Sequence, residues 1–184
     1  MKQVSGLIST YSSDEFGICS ALFELGGMVV MHDASGCNST YTTHDEPRWY
    51  DMDSMIFISA ISESEAIMGD DDKFIGDLIE TAEELHPKFI ALVGAPIPYM
   101  IGTDLKAIAS IVSRETGIPC FGFPANGMHA YTTGISMALE KIAEEFGGVI
   151  SGENRENSRV TVNILGATPL DFSVNGSVES LKCW

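Results

Sequence analysis

Four short apolar runs punctuate the chain: Met28 to Met31, Met55 to Ile58, Phe89 to Val93 and Ile118 to Phe123. None alternates with polar residues. A strand that is apolar on both faces belongs in a sheet covered on both sides, the usual setting of parallel strands. Val160 to Leu165 alternates better and is expected to open a fifth strand. Helical periods fill the gaps. Ser13-Asp14-Glu15 opens one helix, with Ile18, Leu22 and Leu25 on one face and Gly26 at its end. Asp72 to Leu85 carries Phe74, Ile75, Leu78, Ile79, Ala82 and Leu85 on one stripe and Asp77, Glu80, Glu83 and Glu84 outside it. Thr103-Asp104 opens a third helix, which Gly117 ends; a fourth runs from about His129 to Phe146.

Strands alternating with helices imply βαβ units with right-handed crossovers. The expected fold class is therefore α/β: a three-layer, parallel-sheet, Rossmann-like domain over residues 1–150. Ser151 to Arg159 is wholly polar and reads as a linker. Residues 160–184 read as the opening strand and helix of a second such domain, truncated here, or as an edge strand and helix added to the first.

Charge narrows the function classes. The 184 residues hold 10 Lys and Arg against 26 Asp and Glu, a net charge of −16. Nucleic acid and anionic membrane surfaces are poor partners for such a chain, because both are bound through Lys and Arg. No stretch reaches the about 18 apolar residues of a membrane span, and the N-terminus lacks a secretory pattern. A cytoplasmic location is expected. Cys19, Cys37, Cys120 and Cys183 form no CxxC pair, so zinc-ribbon and thioredoxin readings have no support. Neither GxxxxGK[ST] nor a strand-linked GxGxxG occurs.

Ligands of parallel sheets gather beyond the carboxyl ends of the strands. Those ends are His32 to Cys37, Gly94-Ala95-Pro96 and Pro124 to Gly127, so His32, Gly36, Cys37, Gly94 and Gly127 are candidate cofactor-binding positions. Cys37 follows Gly36 in a small-residue turn, where backbone N–H groups favour a thiolate able to act as metal ligand or nucleophile. A buried structural thiol is the competing reading. Cys120 lies inside a strand run and reads as core. In the loop Thr42 to Asp53, the acids beside His44 read as a solvated tip, and Arg48 as an anion-orienting residue or a partner of Asp51. His129 reads as a capping or packing histidine.

The order of these features resembles nitrogenase component-one proteins. A helix ends in Leu25-Gly26-Gly27, a strand follows, then His32-x-x-x-Gly36-Cys37 with Tyr41. Next come the acidic stretch Ser62 to Asp70, the strand Phe89 to Val93 with Met100-Ile101-Gly102-Thr103-Asp104 beyond it, Gly117-Ile118-Pro119, and Gly127-Met128-His129 with Gly134. The resemblance covers roughly residues 13–146, and Val160 to Phe172 is similar to the opening of the family's next domain.

The resemblance implies an iron–sulfur-dependent redox protein that takes electrons from an ATP-dependent iron–sulfur reductase and reduces a small-molecule substrate. It also implies an iron–sulfur cluster at a subunit interface, in a homodimer or with a related subunit. Cys37 falls on the family's ligand in the Gly-Cys turn. Cys19 lies a few residues beyond the family's first ligand cysteine, and Pro96 stands where a third is usual. Cys37 and Cys19 are thus the metal-ligand candidates, two from each subunit of a pair. The alternatives are a non-catalytic metallocofactor scaffold or carrier, and a degenerate α/β dimerisation module.

Overall fold

The computed structural model describes residues 13–148 apart from positions 35, 37, 40, 42–45 and 51. The elements run α1 (Asp14–Leu22), β1 (Met28–Met31), a 3-10 turn (Pro47–Tyr50), β2 (Ile56–Ile58), α2 (Glu63–Met68), α3 (Asp72–Leu85), β3 (Ile90–Val93), α4 (Pro96–Ile101), α5 (Leu105–Thr116), β4 (Cys120–Phe123) and α6 (Tyr131–Phe146). The strands form one parallel sheet in the order β2-β1-β3-β4. Met28 pairs with Ile90, and Ile90 with Cys120, so β1, β3 and β4 end nearly level.

Pleating divides the strand residues between two cores. Val29, Met31, Ala91, Val93, Phe121 and Phe123 pack with Ile18, Leu22, Ile135 and Ala138 of α1 and α6. Met28, Val30, Ile90 and Leu92 pack with Phe74, Leu78, Ala82, Leu105, Ile108 and Val112 of α3 and α5. A sheet apolar on both faces, with a helical layer on each, is the α/β three-layer arrangement that the uninterrupted runs predict.

Local chemistry sets the boundaries. The strand run from Ile118 enters the ladder only at Cys120. Pro119 has no N–H to give, though its carbonyl accepts from Ile90 N–H at 2.8 Å. Asp104 caps α5 by accepting from the N–H groups of Lys106 and Ala107, and Gly117 closes it at φ +71°. The first helix stops at Leu22, so Leu25 is 38% exposed rather than on its buried face. The last begins at Tyr131 rather than His129, whose side chain turns toward α1. Two short helices escape the periodicity reading. The six residues of α2 rely on a capping box between Ser62 and Glu65, and α4 starts at Pro96 with a fixed φ. The expected fifth strand, the linker and the residues of the second domain lie outside the described residues.

The closest helix approach is between α1 and α6. A Cβ on Gly17 would run into the Tyr131 carbonyl oxygen, and one on Gly134 into the Asp14 carbonyl oxygen. Overpacking costs about 1–3 kcal/mol where neighbours can shift, and backbone shifts poorly. Gly134→Ala should therefore lower the urea midpoint by at least that cost with an unchanged m-value. Gly76→Ala, in α3 with nothing within 4 Å, should raise stability by up to about 1 kcal/mol. Equal effects of the two substitutions would contradict the crossing.

Candidate functional site at the carboxyl ends of the strands

Beyond β1 the alternation of the strand continues for two more residues and separates them. His32 turns toward α3 and Asp33 toward α1. The His32 ring stacks on Phe74 with centroids 4.0 Å apart, and its Nδ1 meets Ser59 Oγ at 2.9 Å. Burial pushes its pKa down to about 4, so the imidazole is neutral at physiological pH. A cavity of about 30 Å³ lies beside it, walled by Ser59, Glu65, Lys73, Phe74 and Ile101. That is room for a water or two.

The opposite side of the strand ends is acidic. Asp14, at 0% exposure, accepts from Gly127 N–H at 2.9 Å, Asn126 N–H at 3.4 Å and Glu15 N–H at 3.2 Å, and its Oδ2 lies 3.1 Å from His129 Nδ1. The first turn of α1 is thereby tied to the turn after β4. Asp33 is buried and accepts from the Asn38 side-chain amide at 2.9 Å. Glu15 is also buried. Desolvation is the main cause that raises its pKa to about 7, with the negative charges of Asp14 and Asp33 adding to it and the Ser13 hydroxyl opposing.

Backbone turns shape this end. Gly127 has φ +74°, and a Cβ there would meet Pro96 Cγ at 2.9 Å. A Cβ on Gly94 would meet the Ala125 carbonyl oxygen, so the β3 and β4 ends lie backbone against backbone. Gly36 has nothing within 4 Å of its Cβ position. The turns carrying Gly94 and Gly127 thus meet at the Asp14 side, whereas His32 sits on the far side of β1. Cys37 lies outside the described residues.

The second ligand candidate has a different environment. Cys19 is at 0% exposure within the α1–α6 core, and burial, with the charges of Glu15 and Glu46, pushes its thiol well above the ordinary cysteine value. A neutral thiol packed among Ile18, Leu22 and Tyr41 behaves as a small hydrophobe. Cys120 is half-buried at the amino end of β4, with its thiol pushed up to about 12. Among the described residues no group of three His, Cys, Asp or Glu is placed to hold a metal ion. The described donors therefore do not fit a cluster that needs four thiolates.

The loop after the Gly-Cys turn also departs from its sequence reading. Glu46 is 1% exposed rather than at a solvated tip. Arg48 is buried in a network of its own, and Asp51 lies outside the described residues. Its Nε donates to Glu46 at 2.8 Å, one Nη to Glu24 at 3.0 Å and the other to the Ser20 carbonyl at 2.7 Å, with the guanidinium over the Phe23 ring. Tyr41 and Ser20 complete the network through their hydroxyls, and Trp49 Nε1 donates to the Tyr41 carbonyl. Both flanks of positions 42–45 are thus fastened to α1. Asp14, Glu15 and Asp33 were legible only as helix-start acids and a strand-end neighbour of His32; their convergence depends on tertiary contacts.

Two measurements follow. Glu15 holds its proton in the folded state to about pH 7 but loses it near the ordinary carboxyl value when unfolded. Stability should fall as pH rises from about 4.5 to 7, and Glu15→Gln should remove that fall, gaining on the wild type through this window and levelling above it. Parallel pH profiles in urea would contradict the shift. Arg48→Met leaves Glu46 buried without its partner and should cost about 3–5 kcal/mol, part of which Glu46→Gln restores in the double variant.

Comparison with known proteins agrees with this architecture. The family model "Nitrogenase component 1 type Oxidoreductase" matches residues 17–184. The nitrogenase molybdenum-iron protein alpha chain of Clostridium pasteurianum is 25% identical over 123 residues, 66% of this chain and 22% of that one. Component CfbD of the Ni-sirohydrochlorin a,c-diamide reductive cyclase complex of Methanothermobacter thermautotrophicus is 29% identical over 133 residues, 70% of this chain and 34% of that one. The chain thus spans between a fifth and about a third of these relatives. Two solved structures of nitrogenase Cp1 share the fold, with a TM-score of 0.67 at pH 5 (21% identity, 100% of this chain, 38% of that one) and 0.61 at pH 6.5 (23% identity, 79% and 30%). With the family model matching most of the chain, the protein belongs to the nitrogenase component 1 type oxidoreductase family.

Proposed function

We propose that this chain is the N-terminal domain of an iron–sulfur-dependent redox protein of the cytoplasm, working with a second copy of itself or a related subunit. Its electrons come from an ATP-dependent iron–sulfur reductase, and its substrate is a small molecule. The observation that carries the reading is the family match together with the sequence position of Cys37, directly after Gly36 in the segment that follows β1. One Cys37 from each of two subunits would supply thiolates to a cluster between them, which suits soft-ligand iron chemistry. Cys19 stays in the core in this proposal.

Exposed apolar side chains support a subunit contact at the same end. Ile67 and Met68 on α2, Tyr99 and Met100 on α4, and Met128 after β4 are between 58% and 79% exposed. They follow β2, β3 and β4 respectively, so all stand beyond the strand ends. Large apolar side chains exposed to this extent suit an interaction surface. Pro96, standing where the resemblance expects a third cysteine, favours a second reading, a metallocofactor carrier without turnover. It predicts stoichiometric cofactor binding and no substrate reduction in the presence of reductase and ATP.

The test is anaerobic reconstitution of the full chain with iron and sulfide, read by iron content, visible absorption and electron paramagnetic resonance. Cys37→Ser should lose about tenfold or more of the bound iron. Cys19→Ala should keep the iron and lose stability. A colourless, iron-free wild type, or a cluster indifferent to Cys37→Ser, would defeat the cluster assignment.

A further inference from the structure

His129 is the half-exposed titratable group of the acidic side, with its side chain 57% accessible. Its Nδ1 lies 3.1 Å from Asp14 Oδ2 and 3.1 Å from Asn126 Oδ1. The Asn126 amide is oriented by an independent contact, because its Oδ1 accepts from Met128 N–H at 3.0 Å. An atom that accepts from a backbone N–H is the oxygen, so it offers His129 an acceptor. Asp14 is already surrounded by the N–H groups of Glu15, Asn126 and Gly127, and it too acts there as an acceptor. Two acceptors facing one ring nitrogen require that nitrogen to carry the hydrogen. Nδ1 is therefore the donor, and in the neutral ring the lone pair sits on Nε2, away from the buried carboxylate. A carboxylate behind an imidazole fixes the tautomer and raises the basicity of the far nitrogen.

We propose that His129 is the acid–base residue of the strand-end site. Its Nε2 takes a proton from, or returns one to, a molecule bound beyond β3 and β4, and Asp14 is its positioning residue. In the forward step the Nε2 lone pair forms the new N–H bond. The bond from that proton to the bound molecule breaks, its electron pair stays on that molecule, and the imidazolium charge is offset by Asp14. The reverse step returns the proton, with the pair remaining on Nε2. No oxidant or reductant is involved. Among the described residues, Glu15, beside Asp14 on α1, and Asp33, next to Glu15 at the end of β1, are the other titratable groups on this side. The buried carboxylates of Asp14 and Asp33 disfavour an anion here, so the complementary ligand is neutral or cationic rather than a carboxylate or phosphate.

The inference needs neither iron nor a reductase, so it stands or falls apart from the function proposed above. Nitrogen-15 correlation spectra of the full chain in mildly alkaline solution should show His129 as the Nδ1–H tautomer, its signal identified by loss in His129→Gln. Asp14→Asn should move the ring several-fold toward the Nε2–H form. A wild-type ring already in the Nε2–H form overturns the proposal. Hydrolysis of p-nitrophenyl acetate, a neutral probe of accessible imidazole nitrogen, gives a second readout. His129→Gln should remove most of the histidine-dependent rate, while its circular dichroism and urea midpoint stay unchanged. A rate unaffected by His129→Gln overturns the proposal even where Asp14→Asn fails to fold.

Discussion

A carboxylate sealed from water must find donors within the protein, and the rest of this structure is arranged around how Asp14 does so. Its oxygens gather backbone N–H groups from both sides of a helix start and a remote turn, 112 and 113 residues apart in sequence. That single side chain fastens α1 to the segment between β4 and α6. The glycines at the helix crossing let the backbones come close enough for those contacts to form. Placing a bulkier residue at Gly134 would push against the same Asp14 whose side chain holds the turn. Packing and polar satisfaction are therefore one constraint here, and the site beyond the strands inherits its geometry from it.

The sheet contributes a second constraint, which is parity. Successive strand residues face opposite layers. His32 and Asp33 are neighbours in sequence, yet one stacks on Phe74 against α3 and the other is drawn into the acid group beside α1. A linear motif centred on the Gly-Cys turn thus serves two separate environments. The His32 side is a small, partly open cavity with a neutral ring. The Asp33 side is a buried concentration of negative charge facing the one imidazole held by Asp14.

Much of the fold was legible in the sequence because local rules and burial agreed. Uninterrupted apolar runs marked all four described strands, with starts shifted by one or two residues, in β4 because Pro119 has no N–H to give. Asp72 to Leu85 was fixed by its stripe. The short helices α2 and α4 were not legible, since six residues carry less than two full periods and capping alone sustains them. The site was legible only in outline. Gly94 and Gly127 could be placed at strand ends, but their roles in backbone approach and in donating to Asp14 require tertiary contacts. Glu46 and Arg48 misled because an acidic, exposed-looking loop gives no sign that its charges neutralise one another inside the protein.

Helix α1 carries two polar networks, and they use charge in opposite ways. In its last turn and just beyond it, Ser20 and Glu24 join Glu46 and Arg48, where the guanidinium meets two carboxylates and a carbonyl. In such a network donors and acceptors are matched, and its benefit lies in tying Tyr41, Glu46 and Arg48 to α1. At its first turn, Asp14 and Glu15 meet Asp33, and burial together with those two charges lets Glu15 keep a proton up to about pH 7. The half-exposed imidazole of His129 is held at this acidic group by Asp14. The tautomer of His129 makes that contact directional, with the receiving nitrogen turned away from Asp14.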